Sequence, residues 1–299
     1  MALSVLAATA VDAMVVRVPA DMRFMGRHVA GSPVTRFVKR HSSHLHEKWG
    51  KGLERSAKVT FDFAHHKAVA GLRPKVHRIM SPGHDPLLGA FYGIRDLMRG
   101  EATFFDKDGM KVVVTSDDDP LGFTAAMIRW LCHLFSDAFT KMGLPAPGFS
   151  ALLPQKGLSP FKLRQDGDLV PWKDIARWMY AEGFDLRHFL TQGLTPATVE
   201  LFIRGYWLLT RYNDGHDATC RRKLAVMLLA SHSLVVGGNL LKVAVTRNPM
   251  HFNLAQTLRV GTLAASEVGR LVVKTVGRSG RIDPYCGLQQ PPATRRELQ

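Results

Sequence analysis

Apolar residues recur through most of the chain at three- and four-residue steps, which predicts helices rather than strands. Residues 120–142 carry Phe123, Met127, Ile128, Leu131, Leu134 and Phe135, mostly at helical spacing, and predict a strong helix. Residues 170–184 open with Pro171 and set Trp172, Ile175, Trp178 and Met179 on one face. Helices are also expected over 195–212, begun by Thr195-Pro196, over 221–245, and over the basic amphipathic stretch 254–278. A short helix is predicted over 61–72, ended by Gly71 and Pro74. The next helix has Asp85 as its N-cap, Pro86 in its first turn and Gly100 at its end, and Gly89 and Gly93 form a strip for close approach of another helix. Residues 1–22 read equally as a helix or an apolar strand. The period changes at 101–115, where two β-prone runs flank Asp-Lys-Asp-Gly and predict a hairpin. Residues 143–160 are turn-rich and read as a long loop, a lid or a boundary. The expected fold is mainly α, a single helical domain over 23–278 with one small β-hairpin near 102–115. An N-terminal segment (1–22) precedes it and a disordered tail (279–299) follows it.

Composition narrows the class. The chain has 299 residues, 46% of them hydrophobic and 22% charged, which are globular proportions. A net charge of +15 favours a phosphate-bearing partner: a phosphorylated substrate, anionic lipid or nucleic acid. No helix-turn-helix or finger pattern points to sequence-specific DNA reading. The three cysteines are too far apart for a metal clip or a disulfide framework, which suits a reducing cytoplasm. The N-terminus lacks the basic region of a secretory signal. Residues 224–241 come closest to a membrane span but contain Ser231, His232, Ser233 and Asn239, so a buried helix is expected. The expected location is cytoplasmic, with room for peripheral attachment to the inner face of the membrane.

The candidate chemistry lies in two stretches. His77 and His84-Asp85 surround the Pro82-Gly83 turn, and His133-x-x-x-Asp137 puts an imidazole and a carboxylate on one helix face. Asp62-x-x-x-His66 repeats that spacing in reverse. Such groups are costly to bury unless they pair or bind a metal, so His77, His84, His133, Asp137 and His66 are candidate ligands. Asp85 or Asp62 is the candidate general base. Asp185-Leu186-Arg187-His188 could bind substrate phosphate through Arg187 and His188, or could simply close a helix. The cluster His41, His44 and His46 reads as a solvated face. If instead the histidines are structural, the chain is a basic helical protein binding anionic membrane or nucleic acid, or an assembly subunit.

HRIMSPGHDPLLGAFYG (77–93) resembles the "HRgxTHSLlga" stretch of the LexA-regulated, membrane-bound metal-dependent hydrolase family. HLFSDAFTKMGLPAP (133–147) resembles that family's later "HLLLDsfTpxGvpl" motif. The same logic is similar, more distantly, to zinc-dependent phospholipase C. The likeness covers about residues 77–95 and 133–147, and Thr-His-Ser is replaced by Pro-Gly-His-Asp-Pro. It implies a helical, metal-dependent hydrolase acting on phosphodiesters or lipids, with divalent metal, zinc above all, held by His77, His84, His133 and Asp137.

Overall fold

The computed structural model describes residues 1–17, 22–24, 27–29, scattered positions between 34 and 52, 57–62, 65, 67–140, 142–162, 168–211 and 218–279. It is mainly α. Helix α1 (Ala2–Met14) comes first, followed by a short antiparallel pair, β1 (Met22–Phe24) and β2 (Arg27–Val29). Then come α2 (His77–Met80), α3 (Gly89–Arg99), the hairpin β3 (Glu101–Phe105) and β4 (Lys111–Thr115), and α4 (Phe123–Ala138). The remaining helices are α5 (Trp172–Ala181), α6 (Leu186–Gln192), α7 (Leu194–Arg211), α8 (Ala218–Thr246) and α9 (Leu254–Ser279). The predicted hairpin pairs in register from Glu101↔Thr115 to Phe105↔Lys111, and Gly109 turns it with φ 77°. The expected disorder beyond 279 and the readings of His46 and His66 lie outside the described residues.

Two apolar clusters organise the chain. The larger gathers Phe61, Ile79, Met80, Leu97, Phe104, Trp130, Phe149, Ile175 and Tyr180 around α2–α5. The smaller joins Ala8, Val199, Ile203, Leu228 and Val235 of α1, α7 and α8. The glycine strip does what its spacing predicts. A Cβ on Gly89 would stand 2.4 Å from the Gly83 carbonyl oxygen and 2.7 Å from Trp130 Nε1, and one on Gly93 would meet the same indole. Trp130 Nε1 donates to the Gly83 carbonyl at 3.0 Å. These contacts seat α4 directly against the Pro82–His84 turn.

Three expectations are corrected. The described residues of 61–72 form turns, because Gly71, at φ 81°, and the packing of Phe61 and Val69 into the core break the helical course. The 143–160 segment is not free over its first half, where Leu144, Ala146, Phe149 and Leu153 are buried and Pro145 bridges to Asp185. On α4 the buried stripe is Ala126, Trp130, His133, Ser136 and Asp137, while Phe123, Ile128, Leu131 and Phe135 are exposed. Asp185 begins a helix rather than ending one, its carboxylate accepting from the His188 N–H at 3.0 Å as the N-cap of α6.

Candidate metal centre

Three elements converge beneath the Pro82–His84 turn. Helix α4 supplies His133 and Asp137 one turn apart, α2 supplies His77 and Arg78, and the turn itself supplies His84. Their placement depends on Phe61, whose ring fills the space that a Cβ on Gly83 would take, 2.7 Å away. That ring meets His84 edge-on at 5.1 Å and His133 at 5.9 Å. The imidazoles of His84 and His133 are 5.1 Å apart between centroids, and those of His77 and His84 5.7 Å.

His84, His133 and Asp137, all buried, bring one potential ligand atom each within 4.8 Å of one another, and Asp62, His77 and His84 form a second such group. His133 Nε2 lies 3.3 Å and His84 Nε2 3.6 Å from Asp137 Oδ2. Both distances are long for a nitrogen–oxygen hydrogen bond. They match the ligand–ligand edge of a tetrahedral ion with metal–ligand bonds near 2.05 Å, which is about 3.3 Å. His77 Nε2 stands 3.5 Å from Asp62 Oδ1, the same kind of edge.

The hydrogen bonds fix which ring nitrogen faces the cluster. His133 Nδ1 is 3.1 Å from the Ala57 carbonyl oxygen, and His77 Nδ1 is 2.8 Å from that of Pro74. A carbonyl oxygen only accepts, so each Nδ1 carries the hydrogen. In the neutral ring each Nε2 then turns a lone pair on a carboxylate oxygen, an arrangement that calls for a cation between them. Among the described residues, neither nitrogen of His84 has a hydrogen-bond partner, nor does His133 Nε2 or Asp137 Oδ2, although all four atoms are buried. The donor set could hold a metal ion.

Arg78 organises the far side of Asp137. Its Nη2 donates to Asp137 Oδ1 at 3.0 Å, and its Nη1 donates to Thr140 Oγ1 and to the Gly143 carbonyl at 3.2 Å. One carboxylate oxygen is therefore held by the guanidinium and the other faces the imidazoles. Burial works against the charge on Asp137. The cation of Arg78, followed by His133 and His84, outweighs it and keeps the carboxyl well below the usual carboxylate range. Burial also pushes His84 well below the ordinary histidine value, with Asp137 opposing and the neighbouring histidines reinforcing the shift, so the ring is neutral at neutral pH. Desolvation lowers His77 in the same direction.

The other site expectations separate. Asp62 lies at the mouth, its side chain 43% exposed beside His77, whose side chain is 12% exposed. Asp85 is corrected from general base to structural staple. Its Oδ1 accepts from the N–H groups of Leu87, Leu88 and Gly148, and its Oδ2 from that of Ser150, so the carboxylate is engaged by four backbone amides. Arg187 and His188 are corrected too. Both are buried, Arg187 donating to Asp185 Oδ2 and to the Thr140 carbonyl, and His188 lying against Gln192, so neither faces a substrate. Arg187 instead braces the Thr140–Gly143 turn from behind. The residue that sequence reasoning missed is Arg78, and its only signal was its place next to His77 in the His-Arg dipeptide.

No family model, curated protein or solved structure matches the chain.

Burial makes the fold acid-sensitive as well. Desolvation and the nearby charge of Lys242 lower His251 from 6.5 to about 4, and His84 shifts in the same direction. Between those values the unfolded chain binds protons that the folded one refuses. Stability is thus fully present above about pH 6.5 and is lost as the pH falls towards 4. A series of thermal melts on ion-free protein is expected to show Tm dropping across that window, and a flat profile would contradict it.

Proposed function

We propose that the chain is a metal-dependent hydrolase acting on a phosphate-bearing substrate. The proposed ion is Zn²⁺, held by His84, His133 and Asp137, a nitrogen-rich set that suits zinc. His77 and Asp62 complete the shell or hold a second ion towards solvent. One observation carries this reading: His84 is fully buried, and neither ring nitrogen has a hydrogen-bond partner among the described residues. A histidine retained for core structure would be hydrogen-bonded. The resemblance of residues 77–95 and 133–147 to metal-dependent hydrolases supports the same conclusion.

A divalent ion in such a site supplies Lewis acidity and activates water at neutral pH. The chain's own residues do the rest. Arg78 keeps Asp137 ionised and oriented, the Ala57 and Pro74 carbonyls set the imidazole tautomers, and Asp62 at the mouth is placed to accept a proton. The net charge of +15 draws anionic substrates towards the surface. Purified protein is expected to contain roughly one Zn²⁺ or more per chain and to cleave bis(p-nitrophenyl) phosphate, with His133→Ala losing both. Metal-free protein with unchanged affinity for zinc in His133→Ala would reject the proposal.

A second reading, attachment to a membrane through the C-terminal helices, rests on its own observation. The segment Thr219–Thr246 is long and apolar enough to cross a bilayer, and 28% of its most apolar window is buried. Its inward positions include Ser231, His232 and Asn239 beside Leu228, Val235 and Val243, whereas Leu234, Leu241 and Val245 face outward. Helix α1 is inverted in the same way, with Ser4 and Asp12 inside and Leu3 and Leu6 outside, and Asp12 receives hydrogen bonds from Asn239, Lys242 and Asn253. An apolar exterior around a core that also holds buried polar groups such as Asp12 and Asn239 is compatible with lipid contact. Sedimentation with anionic and neutral vesicles separates the cases: this reading expects binding that persists at high salt, and recovery of the protein in the supernatant under all conditions would exclude it.

A further inference from the structure

A cavity of about 890 Å³ opens between the 147–162 segment, α5 and the facing ends of α8 and α9. Its wall is apolar, built from side chains such as Phe149, Trp172, Met179, Val243, Phe252 and Leu258. The charged residues that line it are Lys162 and Arg247, with no carboxylate among the described lining residues. A space this large lined by hydrocarbon and aromatic rings suits an apolar guest, and two cations at its wall suit a guest with an anionic end.

The backbone adds a second observation. Arg247 directly follows α8 and has φ 51°, the only positive φ outside glycine among the described residues. That helix-terminating position is ordinarily filled by glycine, which accepts the left-handed conformation without strain. The chain instead keeps an arginine there, followed by Asn248, whose side chain accepts from the Met250 N–H and fixes the next turn. The result is a guanidinium held on a defined turn beside an apolar hollow.

We propose that this cavity binds a single-chain lipid with an anionic head, the acyl chain lying among Phe149, Trp172 and Val243 and the head meeting Arg247 and Lys162. Binding itself does not depend on the metal-centre reading. The two share a wall, because Leu87 and Gly148 line the cavity while Asp85, next to His84, accepts the Gly148 N–H at 2.8 Å. Where the hydrolase reading holds, the cavity names its substrate class as a lipid phosphate.

Trp172 in the wall provides the probe. Titrating full-length protein with a mid-chain-brominated stearate, below its micelle concentration, is expected to quench tryptophan fluorescence saturably. Trp172→Phe should remove most of that quenching. Competition by a long-chain alkyl phosphate and by stearate, but only weakly by the matching alcohol, is expected. Arg247→Gln should weaken the two anionic competitors about tenfold and leave the alcohol unchanged. Val243→Trp, which fills the hollow, should lower binding of all three. The same titration on His133→Ala is expected to match wild type, so a failure of the metal reading leaves this one standing. Quenching that survives intact in Trp172→Phe, or an alcohol that competes as well as the anions, overturns the proposal. Absence of saturable binding overturns it equally.

Discussion

Replacing His84 by leucine is expected to raise the stability of the ion-free protein while abolishing its response to zinc. The imidazole is fully buried, and both of its nitrogens were desolvated on folding without a replacement partner. An unsatisfied buried polar group costs about 1–3 kcal/mol, and a leucine of similar volume removes that cost. It also removes the ring that faces Asp137 Oδ2 at 3.6 Å. Wild-type protein should gain about 2.7 kcal/mol at a zinc concentration one hundred times its dissociation constant, and His84→Leu should gain nothing. Thermal melts with and without zinc measure both quantities. A purely structural His84 would give the opposite pattern, with apo protein losing stability on substitution and zinc having no effect on either form.

Asp85→Ala is expected to be among the most damaging single changes. The carboxylate accepts four backbone N–H bonds, two from the start of the α3 turn and two from the 148–150 segment. Losing it leaves buried amide donors unsatisfied on both sides, a cost of about 3 kcal/mol or more when several are exposed together. The lesion would reach the candidate centre through geometry, since His84 precedes Asp85 and the Gly83 carbonyl anchors Trp130 of α4. Denaturant unfolding should show the loss, and zinc should restore part of it in Asp85→Ala but none in an Asp85→Ala, His133→Ala double variant. If Asp85 acted only as a general base, the single variant would melt as wild type does.

The same two residues show where reading the sequence worked. His133-x-x-x-Asp137 was legible because i,i+4 spacing on a helix fixes direction without any tertiary knowledge, and the Gly89–Gly93 strip was legible for the same reason. Asp85 is not the expected N-cap of α3, which begins at Gly89 with Leu88 as its N-cap. Its carboxylate accepts from Leu87 and Leu88 in the turn ahead of the helix, and its second pair of amides, more than sixty positions away, gave no local signal. Arg78 was hidden likewise: a cation on a four-residue helix gives no periodic signal, and its partners Asp137, Thr140 and Gly143 are all distant in sequence. On α4 the helical period was legible but the inward face was not: that side carries Trp130, His133 and Asp137, while Phe135 packs edge-on to Phe139 at 4.9 Å. Hydropathy alone could not choose between two faces that both carry large apolar side chains. The 143–160 segment misled by composition, because its prolines and glycines shape a packed connection rather than a free one.

The distance along the chain between the two halves of the centre has its own consequence. His84 and His133 are separated by about fifty residues, and bringing such distant groups together in a disordered chain carries the entropy of closing that loop. Unfolded polypeptide would thus offer an ion only the local pair His133-x-x-x-Asp137 or the neighbours His77 and His84, never the assembled set. Capture of the ion then follows the docking of α4 on α3 rather than guiding it. An ion bound there would act as a latch set after folding, its affinity carried almost entirely by the finished structure.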